Sequence, residues 1–105
     1  MSIRTIHLAQ EFSPCPAGRF STDGPFPGAT FRDTFLLPAI QSNEKVVVDF
    51  AGTEMAGSSF LEEAFGGLVR AGVTETLLKE KLVLNSPRPS DPKRIWRYIH
   101  EEASR

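Results

Sequence analysis

The residues able to do chemistry are few and far apart. Cys15, His7 and His100 are the chain's thiol and imidazoles, and a zinc or iron site needs several such ligands at short spacing, so neither a metal nor another cofactor is expected. Cys15 sits between Pro14 and Pro16 with no local feature to activate a thiolate. A serine hydrolase would hold its nucleophile in Gly-x-Ser-x-Gly, and Gly57-Ser58-Ser59-Phe60-Leu61 has the turn without the second glycine. Glu62 and Glu63 are neighbours that point apart on a helix, so capping and solvation explain them better than acid/base work. Phosphate recognition is the next candidate. Gly24-Pro25-Phe26-Pro27-Gly28 opens one expected helix and Gly57-Ser58-Ser59 another, each offering free backbone amides. Arg19 and Arg32 place guanidinium groups beside the first of these. Their plainer role is a surface salt bridge with Asp23 or Asp33, and neither run matches a nucleotide-binding fingerprint.

The elements that must position these residues alternate in type. A β-friendly stretch from Ser2 to Ala9 leads into a loop over residues 11–28, where Pro14, Pro16, Pro25 and Pro27 with Gly18, Gly24 and Gly28 exclude regular structure. Phe31, Phe35, Leu36 and Ile40 then recur at helical spacing, with Pro38 expected to kink or restart the helix. Lys45-Val46-Val47-Val48-Asp49-Phe50 is a continuous β-branched run, the signature of a strand covered on both faces. Ser59 and Glu62 have capping-box spacing at the start of the next helix, whose Phe60, Leu61, Ala64, Phe65, Leu68 and Val69 form one stripe. Gly66 and Gly67 inside that stripe point to close backbone packing or a contact surface. Thr74 caps a short helix, Lys81 to Leu84 reads as a second interior strand, and Asp91 with Pro92 opens a last helix that buries Ile95, Trp96, Ile99 and Ala103. The expected class is α/β: a small mixed sheet packed with helices.

The 105 residues form one domain of ordinary size. Twelve basic residues against thirteen acidic ones give a net charge of -1, so no global positive field draws the chain to nucleic acid or anionic lipid. One cysteine, no secretory apolar stretch at the start and no long apolar run lead us to expect a cytoplasmic protein that neither crosses nor binds membranes.

The segment Val46 to Leu68, above all Ser58-Ser59-Phe60-Leu61-Glu62-Glu63-Ala64-Phe65-Gly66-Gly67-Leu68, resembles the bacterial STAS-like domain family of unknown function. Gly18-Arg19, Asp23-Gly24-Pro25, Gly28 and Phe31-Arg32 look like that family's other block, and together they span nearly the whole chain. The family is named for its likeness to anti-sigma factor antagonists, in which a strand ends in Asp-Ser-Ser-Gly and the first serine is phosphorylated by a partner kinase. Ser58 occupies the matching place, while Gly57 stands where those antagonists have aspartate and Phe60 where they have glycine. The resemblance implies a non-enzymatic signalling module that docks a protein, a histidine-kinase-like ATPase, through Gly57, Ser58, Ser59 and Phe60 together with the loop from Gly18 to Gly28. A phosphate at Ser58 gains from the helix dipole and amides yet adds about two negative charges to the docking face. The plainer alternative is that Ser59 is an N-cap and Ser58 a turn residue. The alternative function is a small-molecule or nucleotide sensor that binds phosphate at the same helix starts, with Arg19, Asp23, Gly24, Gly28 and Arg32 as anion-site candidates. A homo-oligomer remains open to either reading.

Overall fold

The computed structural model describes residues 2–105. Three strands, β1 (Ile3–His7), β2 (Lys45–Asp49) and β3 (Leu82–Asn85), form one sheet in the order β1-β2-β3. Both pairings are parallel, with Ile6 opposite Val48 and Val48 opposite Leu84. The α/β class stands, and the sheet is parallel throughout where a mixed one was expected. The reason lies in the connections, because each strand reaches the next through helices and no hairpin reverses the chain among the described residues.

A single turn, α1 (Leu8–Glu11), follows β1 directly. The helix α2 covers residues 28–42 without a break, since a wide π-helical turn at Arg32–Leu36 precedes Leu37–Ser42. The expected kink at Pro38 is therefore replaced by that turn: the Leu37 amide reaches back five residues to the Arg32 carbonyl. The register is thus already shifted where the proline, which has no N–H and crowds the carbonyl four residues before it, enters. The helix α3 covers residues 58–70 in the same way, with its π-helical turn at Glu62–Gly66. Thr74 does cap α4 (Glu75–Lys81), its hydroxyl accepting from the Leu77 amide at 3.1 Å. The last helix, α5 (Ser90–Ala103), starts before the expected cap, with Pro89 at the N-cap and Asp91 already inside the first turn. Asp91 is fully buried and spends its carboxylate on side chains instead of helix amides.

The helices bury one face of the sheet. Ile6, Val46, Val48 and Leu82 join Phe31, Phe50, Phe60, Phe65, Leu68, Ile95 and Ile99 in one core. The expected two-sided burial of β2 is half met: Val46 and Val48 are inaccessible, whereas Val47 on the other face is only half-buried. Gly66 and Gly67 are closely packed by side chains, Glu62 of the same helix at the first and Arg32 of α2 at the second. A Cβ on Gly66 would lie 2.5 Å from Glu62 Oε2, and one on Gly67 would fall on the Arg32 guanidinium. Among the described residues no helix is long and apolar enough to cross a membrane.

Candidate functional site

Two loop segments converge at the start of α3. The first leaves β2 at Asp49, buries Phe50 and turns through Gly52, whose φ of 84° is open to glycine at little cost. The Thr53 hydroxyl closes this turn on the Phe50 carbonyl. Two arginines then hold the segment by its carbonyls, Arg88 at Thr53 (2.6 Å) and Arg94 at Ala56 (3.0 Å). Both are fixed by Asp91, which accepts from Arg88 Nε at 3.0 Å, Arg94 Nη2 at 2.8 Å and Ser86 Oγ at 2.8 Å. Burial opposes ionisation of Asp91, but the hydrogen bonds from Arg94 and Ser86 and the charge of Arg88 outweigh it, so the carboxyl sits below its ordinary range. The product of this bracing is a fixed Gly57, the N-cap of α3, with Ser58 and Ser59 exposed behind it.

The expected capping box does not form. The helix begins two residues earlier than the spacing indicates, no side chain caps it, and Glu62 turns away to bind Arg19 and Arg70, the latter at 2.8 Å. Ser58 is therefore the first helical residue and Ser59 is not the N-cap.

The second segment is the loop before α2. Gly18 has φ 87°, and a Cβ there would lie 2.6 Å from the Asp23 Cβ. That close approach lets the Asp23 carboxylate accept from the Phe20 and Arg19 amides at 3.1 and 3.0 Å. These two bonds lower its pKa. The Gly18 and Arg19 carbonyls accept from the Gly28 and Ala29 amides, each at 2.9 Å, and Phe12 packs on Phe26 and Phe31 with ring centroids 5.4 and 5.2 Å apart. The long loop is thus ordered by its own backbone and side-chain contacts, with a 3-10 turn at Ser21–Asp23 where no regular structure was expected, and its breakers shape it instead of freeing it.

Between the two segments lies an open cleft of about 590 Å³, lined by Gly18, Arg19, Asp23, Gly57, Ser58 and Ser59. A smaller groove of about 250 Å³, formed by Cys15, Pro16, Ala17, Glu54 and Met55, adjoins it through Gly57. The Cys15 thiol donates to the Glu54 carboxylate at 3.1 Å, and that contact raises its pKa, the opposite of an activated nucleophile. Phe20 is 51% exposed and Met55 67% exposed, one from each segment. Met55 lines the smaller groove and Phe20 follows Arg19 in sequence, and large apolar side chains left in water are what a docking surface offers.

Of the residues singled out from sequence, the structure brings together Arg19, Asp23, Gly57, Ser58 and Ser59. It does not bring in the other four. Phe60 is fully buried against Phe31 at 5.8 Å, so it packs the core and cannot dock a partner. Gly28 is buried where α2 meets α3, with the Phe60 carbonyl oxygen 2.6 Å from where a Cβ would be. Gly24, with φ 152°, lies outside the cleft lining. Arg32 is a correction too: its guanidinium is spent on Glu63 Oε2 at 2.6 Å, the Glu63 carbonyl at 3.0 Å and Asp33 at 2.9 Å. Sequence reasoning missed the charges behind the cleft. Glu63 is buried instead of solvated, and Arg19, Arg32, Arg70 and Glu102 surround the Glu62-Glu63 pair. For Glu62, burial works against the charged form, but Arg70 and Arg19 prevail and lower its pKa. The one available signal was two acids on the apolar-striped helix, next to glycines that admit another side chain.

A family model described as a STAS-like domain of unknown function matches residues 27–90. Neither a search of curated proteins nor one of solved structures returned a match.

Proposed function

The chain belongs to the family of STAS-like domains of unknown function, and from that premise we propose that it is a non-catalytic regulatory module that binds another protein through the cleft at the start of α3. Ser58 is the position where added charge releases the partner. The observation that carries this reading is the convergence of Arg19, Asp23, Gly57, Ser58 and Ser59 on one cleft, with Phe20 and Met55 exposed on the two segments that form it. An exposed first-turn serine beside uncapped helix amides is open to a kinase, and a phosphate there would lie beside the Asp23 carboxylate. The likeness to anti-sigma factor antagonists supports a histidine-kinase-like ATPase as the partner.

The test is affinity capture from the native cell with the unaltered chain, Ser58→Ala and Ser58→Glu, with partners and phosphosites read by mass spectrometry. The expected result is an ATPase held by the first two and depleted about tenfold with Ser58→Glu, a change of about 1.4 kcal/mol in binding. Equal recovery with Ser58→Glu, or no enriched protein and no modified Ser58, overturns the reading. The uncapped amides of α3 favour one second reading, a sensor of phosphate-bearing small molecules in the same cleft. It requires a nucleotide or inorganic phosphate to raise the melting temperature, and Arg19→Ala to reduce that rise.

A further inference from the structure

One face of the sheet is bare, although the sequence is written for burial on both. The row Thr5, Val47, Val83 crosses all three strands on that side, with Ile3 and Lys45 at one end and His7, Asp49 and Asn85 at the other. Ile3 is 60% exposed and Val83 41% exposed. All-parallel sheets occur almost only with both faces covered, and their strands read as continuous apolar runs for that reason. Val46-Val47-Val48 and Leu82-Val83-Leu84 are such runs, yet the helices answer only their Val46, Val48 and Leu82 side.

The charges on the bare face say what covers it. Lys45, whose ammonium donates to the Glu80 carbonyl at 2.5 Å, lies two residues before Val47, and Asp49, paired with His7 at 3.2 Å, lies two residues after it, on the same strand and the same face. A second copy laid on this face with its strands parallel would set Lys45 near Lys45 and Asp49 near Asp49. With its strands antiparallel, about a two-fold axis along the Thr5-Val47-Val83 row, each Lys45 meets the other copy's Asp49. Val47 and Val83 then each meet their own equivalent at the centre. An isologous interface must be self-complementary in this way, and like charges set face to face are costly. We propose that the bare face is a homodimer interface of this antiparallel, face-to-face kind.

The face measures about 14 by 17 Å from strand spacing and rise. It is well below the roughly 800 Å² per partner of a standard stable interface. The dimer is accordingly weak and concentration-dependent, with a dissociation constant on the order of 100 µM. This surface is separate from the cleft, so the inference stands or falls independently of the partner-binding role.

Sedimentation equilibrium of the full chain tests it, across concentrations that bracket that constant and at low salt. A monomer–dimer equilibrium is expected. Val83→Lys, which alters an exposed side chain and would set two cations together, should weaken it about tenfold or more. Lys45→Glu alone should weaken it, and Lys45→Glu combined with Asp49→Lys should restore it. If Asp49→Lys does not fold, because Asp49 also receives the His7 ring and the Ala51 amide, Asp49→Asn takes its place. The penalty of Lys45→Glu should then largely vanish in that background. A monomer at every concentration, a dimer indifferent to Val83→Lys, or a Lys45→Glu penalty unchanged in both Asp49 backgrounds overturns the proposal.

Discussion

The two walls of the cleft are held by different physics. The wall that leads from β2 to Gly57 hangs on Asp91, a carboxylate with no exposure, through two arginines that grip backbone carbonyls. The opposite wall, Gly18 to Asp23, is held by the exposed Asp23, by loop-to-helix amide bonds, and by Arg19, a half-exposed cation that meets the partly buried Glu62 and the buried Glu63. A buried charge whose partners are removed costs far more than a solvated one. The β2 side is therefore the rigid wall and the glycine-rich side the adjustable one. Under the proposed partner-binding role, the first wall fixes the serines and the second yields.

Breaking the rigid wall should have the largest effect. Asp91→Ala leaves two arginines and Ser86 without their common acceptor, and it should destabilise the fold by about 3 kcal/mol. In a domain of this size the melting temperature would fall by roughly 10–20 °C. A loss under about 1 kcal/mol in urea titration would erase the contrast between the walls. The same carboxylate sets an acid limit. Its folded pKa lies below the ordinary value of 3.8, so its contribution is complete above that value and is lost as pH falls toward the folded pKa. Unfolding free energies measured between roughly pH 6 and pH 2 should decline, with a shallower slope for Asp91→Ala.

Next in size is the packing at Gly28, whose amide ties the other wall to α2. Gly28→Ala would drive a methyl into the Phe60 carbonyl, the Ala64 amide and the Glu63 side chain, all within 2.9 Å. Two of these are helix backbone, so about 2 kcal/mol is expected from overpacking, together with altered chemical shifts at residues 17–23 if the wall moves with it. The smallest stability effect belongs to the adjustable wall itself. Arg19→Ala removes half-exposed pairs worth no more than about 1 kcal/mol, yet it should change partner binding measurably. A stability loss as large as that of Asp91→Ala would show that the two walls are held alike.

The order of elements was legible because it depends on local periods: the β-branched run at 45–50, the stripe at 60–69, the breakers at 11–28 and the Thr74 cap all act within a few residues. The close packing at Gly66 and Gly67 was legible for the same reason, since glycines inside an apolar stripe have few other uses. Half of the candidate site was legible too, because helix starts and glycine turns announce free amides. The roles of Arg32, Phe60 and Glu63 were not. Arg32 and Glu63 are 31 positions apart in sequence and meet across a helix pair, and no local pattern distinguishes an arginine facing a buried acid from one facing water.

By itself the sequence determined an α/β chain with a loop and a helix start that carry serines, glycines and arginines. Only the tertiary structure decided which charges lie inside, that Asp91 braces Gly57 from the far end of the chain, and that one sheet face stays open. The physical reason is that periodicity is a property of neighbouring residues, whereas the solvation of a charge or a sheet face is set by whatever distant segment lies against it.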